Sequence, residues 1–301
     1  MKPKKIFRSI FVILITLLVF YLIFKTIDFH TVVNILFKAS PFWLMIAGFL
    51  SVLSLMGTSK RWQIILNTIG YEISFSKSLR LILATYPLNS IMPSKSGDFI
   101  RAYYLRGKIS ISKTTGSIIA ERIFDILLLA SLSLIGAVYY GNKALIAVVL
   151  LVILAIIIAF VVANKNFNLP IKPSWNKKLN NLALSIEQVS KNRIAFIKIV
   201  MTSIGIWILA IIQFHVLFSA LGIEVPWFSI IANLPIAVFV GLIPVTLGGM
   251  GTRDAAIILL FSGFATNEEL MSVGILFSFF RMWLLSFLGL PLTQKLTRGI
   301  K

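Results

Sequence analysis

The stretches PSKSGDFIRA (residues 93–102) and PVTLGGMGTRDA (residues 244–255) share a proline, a glycine, and an arginine four residues after that glycine. The shared Gly-x-x-x-Arg pattern is formed by Gly97 with Arg101 and by Gly249 with Arg253. Each stretch interrupts an apolar segment, and at 1.5 Å per helical residue the flanking limbs are only about 13–25 Å long. We therefore predict that 78–107 and 228–264 are re-entrant hairpins, named here the first hairpin and the second hairpin. Each would enter and leave the membrane on one side.

The composition places the rest of the chain in a membrane. Of 301 residues, 58% are hydrophobic and 13% are charged, whereas soluble domains average about 25% charged residues. This balance excludes a water-soluble enzyme. The chain has no cysteine and only two histidines, which excludes disulfides and thiolate ligands and makes a histidine-built metal centre improbable. We expect no metal site and no cofactor.

The apolar runs predict an all-α polytopic membrane protein. The six predicted spans are 7–25, 41–58, 114–140, 144–163, 198–221 and 270–292. No small-residue cleavage site follows the first run, so we interpret it as a retained anchor. The segment 164–198 combines prolines, apolar residues and basic residues, and we predict that it is an amphipathic loop on the cytoplasmic leaflet.

The basic residues predict the orientation. Most of the 29 lysines and arginines fall at the two termini and in 59–80, 95–113 and 164–198, which lie on one side in a six-span topology. By the positive-inside rule that side is cytoplasmic. We expect a plasma-membrane protein with both termini in the cytoplasm. The net charge of +19 then indicates orientation and attraction to anionic lipid headgroups, and it does not indicate a nucleic-acid partner.

The order of spans and hairpins predicts an internal repeat. Residues 6–141 and 142–294 each contain two spans, a hairpin and a third span, and each third span carries an arginine, Arg122 or Arg281. Three spans precede the second half, so it begins on the opposite side of the membrane. The chain would be an inverted-topology repeat, an architecture that places a substrate site near the bilayer midplane.

The two tips carry chemistry suited to an anion. Glycines allow tight turns that expose backbone N–H groups, the restarting helices point their positive ends at the same place, and arginine offers bidentate contact to phosphate. An anionic lipid headgroup is the natural ligand. The predicted substrate-binding residues are Arg101, Arg253, Gly97, Gly248, Gly249, Gly251, Glu121, Arg122, Asp254 and Arg281. Pro93 and Pro244 are predicted to be structural hinges.

Several of these residues have a second interpretation. Arg101 could be an ordinary juxtamembrane arginine, and Asp254 could complement the start of a helix or pair with an arginine. Arg122 is spaced for an intrahelical pair with Asp125, which would leave Glu121 over as a proton or cation site. Arg281 has no acidic neighbour in sequence and needs a distant partner, such as Asp254, or contact with the cavity.

At both tips the chain resembles the flippase-like transmembrane family that is named after the membrane domain of lysylphosphatidylglycerol synthase. The resemblance rests on residues 93–102 with AERIFD (residues 120–125), and on residues 244–254. It implies translocation of an anionic or aminoacylated phospholipid, or of a polyprenyl-linked lipid. The family usually has Glu where Asp254 stands, which weakens the assignment of a substrate. Synthase activity is not expected, because no soluble segment exceeds 164–198.

Two other functions stay open at this point. One is a membrane-embedded transferase on lipid phosphates, although the acidic residues are scattered and form no Asp-x-x-Asp pair for Mg²⁺. The other is a non-transporting membrane subunit of a lipid-glycosylation or envelope complex. There is no Gly-x-x-x-x-Gly-Lys-Ser/Thr phosphate loop, so ATP-driven pumping is not expected. A homo-oligomer is also left open.

Overall fold

A computed structural model describes residues 27–92, 96–163, 184, 187–242 and 249–298, and within these ranges it is helical with no strand. The elements, in chain order, are α1 (Phe29–Lys38), α2 (Pro41–Thr68), α3 (Phe75–Leu83), α4 (Tyr86–Ile91), a 3₁₀ turn (Ser96–Phe99), α5 (Ile100–Tyr104), α6 (Ile111–Tyr139), α7 (Lys143–Ala163), α8 (Arg193–Ala220), α9 (Trp227–Gly241), α10 (Thr252–Phe261), α11 (Asn267–Ser278), a π-helical segment (Phe279–Trp283) and α12 (Leu284–Arg298).

The predicted apolar runs from 41–58 onward are helices. In the described part of the chain three helices are long and apolar enough to cross a bilayer, namely Pro41–Thr68, Arg193–Ala220 and Asn267–Leu296. The prediction that the second run ends at residue 58 was wrong, because α2 continues for ten residues and no glycine or proline interrupts it before Gly70. The predicted first span, 7–25, and most of 164–198 lie outside the described residues.

Side-chain caps fix where several helices begin. Ser110 accepts a hydrogen bond from the backbone N–H of Lys113 at the start of α6. Thr266 and Glu269 form a reciprocal capping box at the start of α11, with the carboxylate of Glu269 2.8 Å from the backbone nitrogen of Thr266. The side-chain oxygens at these positions accept hydrogen bonds from backbone N–H groups that have no partner inside the helix.

The second hairpin is a pair of packed antiparallel helices. At its tip Gly249, with φ +76°, packs directly on the backbone of Gly241. Toward its open end the side-chain amide of Asn233 in α9 donates to the carbonyl of Leu260 in α10 at 2.9 Å. A side chain at Gly249 would collide with the carbonyl of Gly241, so glycine at this turn is what allows the two limbs to meet.

The first hairpin is shorter and more broken, with α3 and α4 on one limb and the 3₁₀ turn and α5 on the other. Gly97 packs on the limb before it, and a Cβ there would lie 2.7 Å from the backbone nitrogen of Asn89. Gly97 lies eight residues after Asn89, which it contacts, and four residues before Arg101. Gly249 lies eight residues after Gly241 and four before Arg253. The two tips therefore share one local design.

The two hairpins also pack across the molecule in a reciprocal way. The first limb of the second hairpin packs on α6, where Gly136 touches the carbonyl of Ala232. The first limb of the first hairpin packs on α12, where Gly289 touches the carbonyl of Leu83. Helices α2 and α8 pack along each other. The first hairpin thus packs on α12, and the second hairpin packs on α6.

Candidate functional site

A cavity of about 350 Å³ lies where the two hairpins meet the long helices. Its wall includes residues from α2, both hairpins, α6, α8 and the continuous α11–π–α12 helix. Both tip arginines, Arg101 and Arg253, line it. The other charged residues of the wall are Arg61, Arg122, Arg281, Asp98, Glu121 and Asp125.

The first arginine cluster is built around Glu121, which is fully buried on α6. Its carboxylate accepts from Nη2 of Arg61 at 3.1 Å and from Nη2 of Arg101 at 2.9 Å. Arg61 also pairs with Asp125 at 2.5 Å. The guanidinium of Arg101 lies 4.6 Å from the ring centroid of Trp62. A carboxylate held by two arginines compensates buried charges that would be costly alone.

Asp98 connects the tip of the first hairpin to the same cluster. It accepts hydrogen bonds from the hydroxyl of Thr85 at 3.1 Å and from the side-chain amide of Asn89 at 2.9 Å, and it pairs with Arg122. Arg122 pairs in addition with Asp125 at 3.2 Å. In this first arginine cluster, three arginines (Arg61, Arg101, Arg122) therefore face three carboxylates (Asp98, Glu121, Asp125).

The second arginine pair consists of Arg253, in the second hairpin, and Arg281, in the last long helix. Arg253 at the start of α10 lies 2.9 Å from the carboxylate of its neighbour Asp254, and it also donates to the hydroxyl of Ser278. The carboxylate of Asp254 accepts the backbone N–H of Gly251 at 3.1 Å, which closes the turn. Asp254 thus both caps the helix and pairs with the tip arginine.

Arg281 lies in the π-helical segment Phe279–Trp283, a local widening of the helix of a kind that is common at functional sites. It is half-buried and lines the cavity. Its hydrogen bond runs from Nη1 to the hydroxyl of Ser54 on α2 at 3.5 Å. Among the described residues Arg281 forms no ion pair with a carboxylate.

Comparison with known proteins assigns the family. Residues 9–289 match the family described as the lysylphosphatidylglycerol synthase TM region. The chain belongs to this family. It is 27% identical to a UPF0104 membrane protein of Methanocaldococcus jannaschii, over 88% of this chain and 87% of that one. A UPF0104 membrane protein of Methanothermobacter thermautotrophicus is 23% identical over 84% and 85% of the two chains. The glycosyltransferase AglD of Haloferax volcanii is 25% identical over 84% of this chain and 48% of its own length.

Within this family member, the structure brings most of the predicted site residues to one cavity. Arg101 is buried in the first arginine cluster, so its interpretation as an ordinary juxtamembrane arginine was wrong. The predicted pair of Arg122 and Asp125 is confirmed. The prediction that Glu121 would be left over was wrong, because two arginines hold it. Arg281 contacts Ser54 and does not pair with Asp254. Gly248, Pro93 and Pro244 lie outside the described residues.

Sequence analysis missed Arg61, which we had placed in the cytoplasmic stretch 59–80. It is 2% exposed and pairs with Glu121 and Asp125. A signal was present in the spacing. Ser51, Ser54, Thr58 and Arg61 recur at steps of three and four residues on α2, and all four line the cavity. A polar stripe at helical spacing inside an apolar run indicates a face turned toward a polar interior.

Proposed function

We propose that this protein is a lipid translocase of the flippase or scramblase type. It would move an anionic or aminoacylated phospholipid, or a polyprenyl-phosphate lipid, between leaflets. The observation that carries the proposal is one cavity lined by five arginines, to which each hairpin contributes its tip arginine. Charged groups in membrane helices are expensive, and they are kept where they face a polar pathway or a ligand. Membership of the lysylphosphatidylglycerol synthase TM family is consistent with a lipid substrate.

The architecture supports access from both leaflets. In the proposal residues 6–141 and 142–294 form inverted halves, the hairpins are re-entrant, and the cavity lies near the midplane. The reciprocal contacts of Gly136 with α9 and Gly289 with α3 support this symmetry. In transporters with inverted repeats, rocking of one half against the other exposes a central site to each side in turn. We place the protein in the plasma membrane with both termini in the cytoplasm.

The size of the cavity suits a headgroup. About 350 Å³ lies at the lower end of the range for small-ligand pockets. Arginine forks would hold the phosphate, and the serines and Thr58 of α2 would offer neutral hydrogen bonds. The acyl chains would stay outside the cavity, in contact with the apolar outer surface of the helices. The protein would then lower the cost of carrying a charged headgroup through hydrocarbon.

A leaflet assay in proteoliposomes tests this function. A fluorescent phosphatidylglycerol is reconstituted with the protein, and lipid movement is followed by chemical quenching of the outer leaflet. We expect rapid movement with the wild type and with Arg80→Gln, a matched change at an exposed arginine of the first hairpin. Arg253→Gln should slow the movement at least tenfold, since a charge-assisted bond to phosphate is worth about 1.5–3 kcal/mol.

The results separate the function from the site. If wild-type protein moves no lipid above empty liposomes, the translocase proposal is wrong. If Arg253→Gln moves lipid as fast as Arg80→Gln, the assignment of the site is wrong and the function stands.

A role in lipid glycosylation is the second candidate, because one relative is named a glycosyltransferase and this chain covers 48% of it. A membrane-embedded transferase would usually hold Mg²⁺ with clustered carboxylates. In the described residues Asp98, Glu121 and Asp125 all form ion pairs with arginines, an arrangement that disfavours binding of Mg²⁺ by these carboxylates. Metal-dependent formation of a glycosylated lipid by the purified protein would decide for the transferase. A non-transporting subunit would instead be indicated by a phenotype that depends on 164–198 and not on the arginines.

A further inference from the structure

We infer that the two groups of arginines have different tasks, and that the phosphate binds at Arg253 and Arg281 while the first arginine cluster holds the fold. This inference rests on the proposed function and narrows it. It assigns the anion to the second arginine pair, and it identifies the ligand class as a lipid phosphodiester that carries a single negative charge.

The balance of charge distinguishes the first arginine cluster from the second arginine pair. In the first arginine cluster, three guanidinium groups face three carboxylates, and Arg101 has a carboxylate oxygen at 2.9 Å. At the second arginine pair, the one carboxylate, that of Asp254, pairs with Arg253 only, and Arg281 donates to the hydroxyl of Ser54. Counted over the described residues of both groups, the charges sum to one excess positive charge. That charge lies at the second arginine pair.

The two arginines of this pair lie around one aromatic ring on the cavity wall. The guanidinium carbons of Arg253 and Arg281 lie 5.2 Å and 5.8 Å from the centroid of a single ring, that of Phe277. The hydroxyls of Ser278 and Ser54 lie beside them. The bond from Arg281 to Ser54 is 3.5 Å long, at the outer limit for a hydrogen bond. A phosphate oxygen could therefore take that place with little loss.

The single excess charge determines the ligand class. A phosphodiester carries one negative charge and would leave this part of the cavity neutral. A zwitterionic headgroup would leave it positive, and a phosphomonoester or pyrophosphate would bring more negative charge than the described residues balance. An uncompensated charge in a buried site is costly. The affinity of the site for different lipids should therefore depend more on the charge of the headgroup than on the shape of the rest of the headgroup.

Binding of defined lipids to the detergent-purified full chain tests the inference, with native mass spectrometry as the readout. We expect phosphatidylglycerol to bind more tightly than phosphatidylcholine and than phosphatidic acid. Arg281→Gln should weaken phosphatidylglycerol binding about tenfold or more. Arg281→Lys should retain part of it, because the charge remains and the planar fork is lost. The matched change Arg80→Gln should bind as the wild type does.

A melting curve of each variant separates binding from folding. Arg281→Gln removes a charge with no ion pair in the described structure, so its melting temperature should equal or exceed that of the wild type. Arg101→Gln should lower it. Equal binding of phosphatidylglycerol by Arg281→Gln and the wild type would overturn the inference, as would phosphatidic acid binding more tightly. Displacement of the lipid by millimolar inorganic phosphate would make free phosphate the ligand and overturn the lipid assignment.

These outcomes are distinct from the failure of the proposed function. Loss of binding in Arg281→Gln, with a wild type that moves no lipid between leaflets, would keep the anion site and reject translocation. Unchanged binding in Arg281→Gln, with a wild type that does move lipid, would keep translocation and reject this site.

Discussion

Replacing Glu121 by glutamine is the sharpest test of how the interior is held together. Glu121 is fully buried and its carboxylate lies 3.1 Å and 2.9 Å from the guanidinium groups of Arg61 and Arg101. Glutamine keeps the volume and one acceptor oxygen but removes the charge. Arg61 would keep Asp125 at 2.5 Å, whereas Arg101 would lose its shortest carboxylate contact. The change therefore leaves a buried cation under-compensated.

The magnitude follows from these partners. Removing one member of a buried ion pair costs about 3–5 kcal/mol. The remaining pair of Arg61 with Asp125 places Glu121→Gln at the lower end, so we expect a loss of about 3 kcal/mol. At about 2–4 °C per kcal/mol for larger domains, the melting temperature should fall by about 6–12 °C. Thermal melting of the purified protein in detergent, followed by tryptophan fluorescence, measures this shift.

A carboxylate in an ion pair with an exposed lysine supplies the matched control. Glu187 pairs with Lys191 one helical turn away, and the lysine side chain is 76% exposed. Surface pairs of this kind contribute about 0–1 kcal/mol, so Glu187→Gln should melt within about 2 °C of the wild type. If Glu121→Gln melts together with Glu187→Gln, the first arginine cluster does not stabilise the fold, and the division of tasks between the two groups of arginines fails.

Three further predictions concern the backbone and pH. Gly97→Ala should destabilise the protein by about 1–3 kcal/mol in the same melting assay, because its Cβ would meet backbone atoms at 2.7 Å. Gly205→Ala, with nothing within 4 Å, should be neutral or stabilising, and equal effects of these two changes would contradict the close packing of the tip. Gly289→Val should weaken the contact of α12 with α3 and speed amide hydrogen exchange in α3, and unchanged exchange there would count against the reciprocal packing. Asp28 caps α1, and hydrogen bonds from Thr31 lower its pKa below the ordinary 3.8. The stabilisation of α1 by the Asp28 carboxylate is therefore present above pH 3.8 and is lost as the pH falls through the lowered pKa. Amide hydrogen exchange in α1 should become faster over that pH range. Asp28→Ala should abolish this pH dependence.

The sequence predicted the helices well because apolar runs and breakers act locally. The start of a helix at Thr266 follows from its capping-box residues, and the turns at Gly97 and Gly249 follow from glycine, which permits turns and close backbone contacts that a side chain would block. The shared spacing of the two tips was also readable. It paired Arg101 with Arg253 in one hypothesis, and both arginines line the same cavity.

The partners of the charged residues could not be predicted, because they are chosen by long-range packing. Arg61 lies 60 residues from Glu121 along the chain, and the pair forms only because α2 and α6 contact each other. An arginine beside Lys60 at the end of an apolar run resembles a loop residue when only composition is considered. Arg281 and Ser54 are 227 residues apart in the sequence. Their contact depends on a π-helical segment that no local sequence pattern predicts.

Thiol labelling at the cavity tests the central claim most directly. The chain contains no cysteine, so Ser54→Cys places a unique thiol on the cavity wall beside Arg281. The proposed translocase predicts that a membrane-impermeant thiol reagent labels this cysteine from either side of proteoliposomes, and that phosphatidylglycerol slows the labelling more than phosphatidylcholine does. Labelling from one side only, or at a rate that no anionic lipid changes, would contradict a headgroup site that both leaflets can reach.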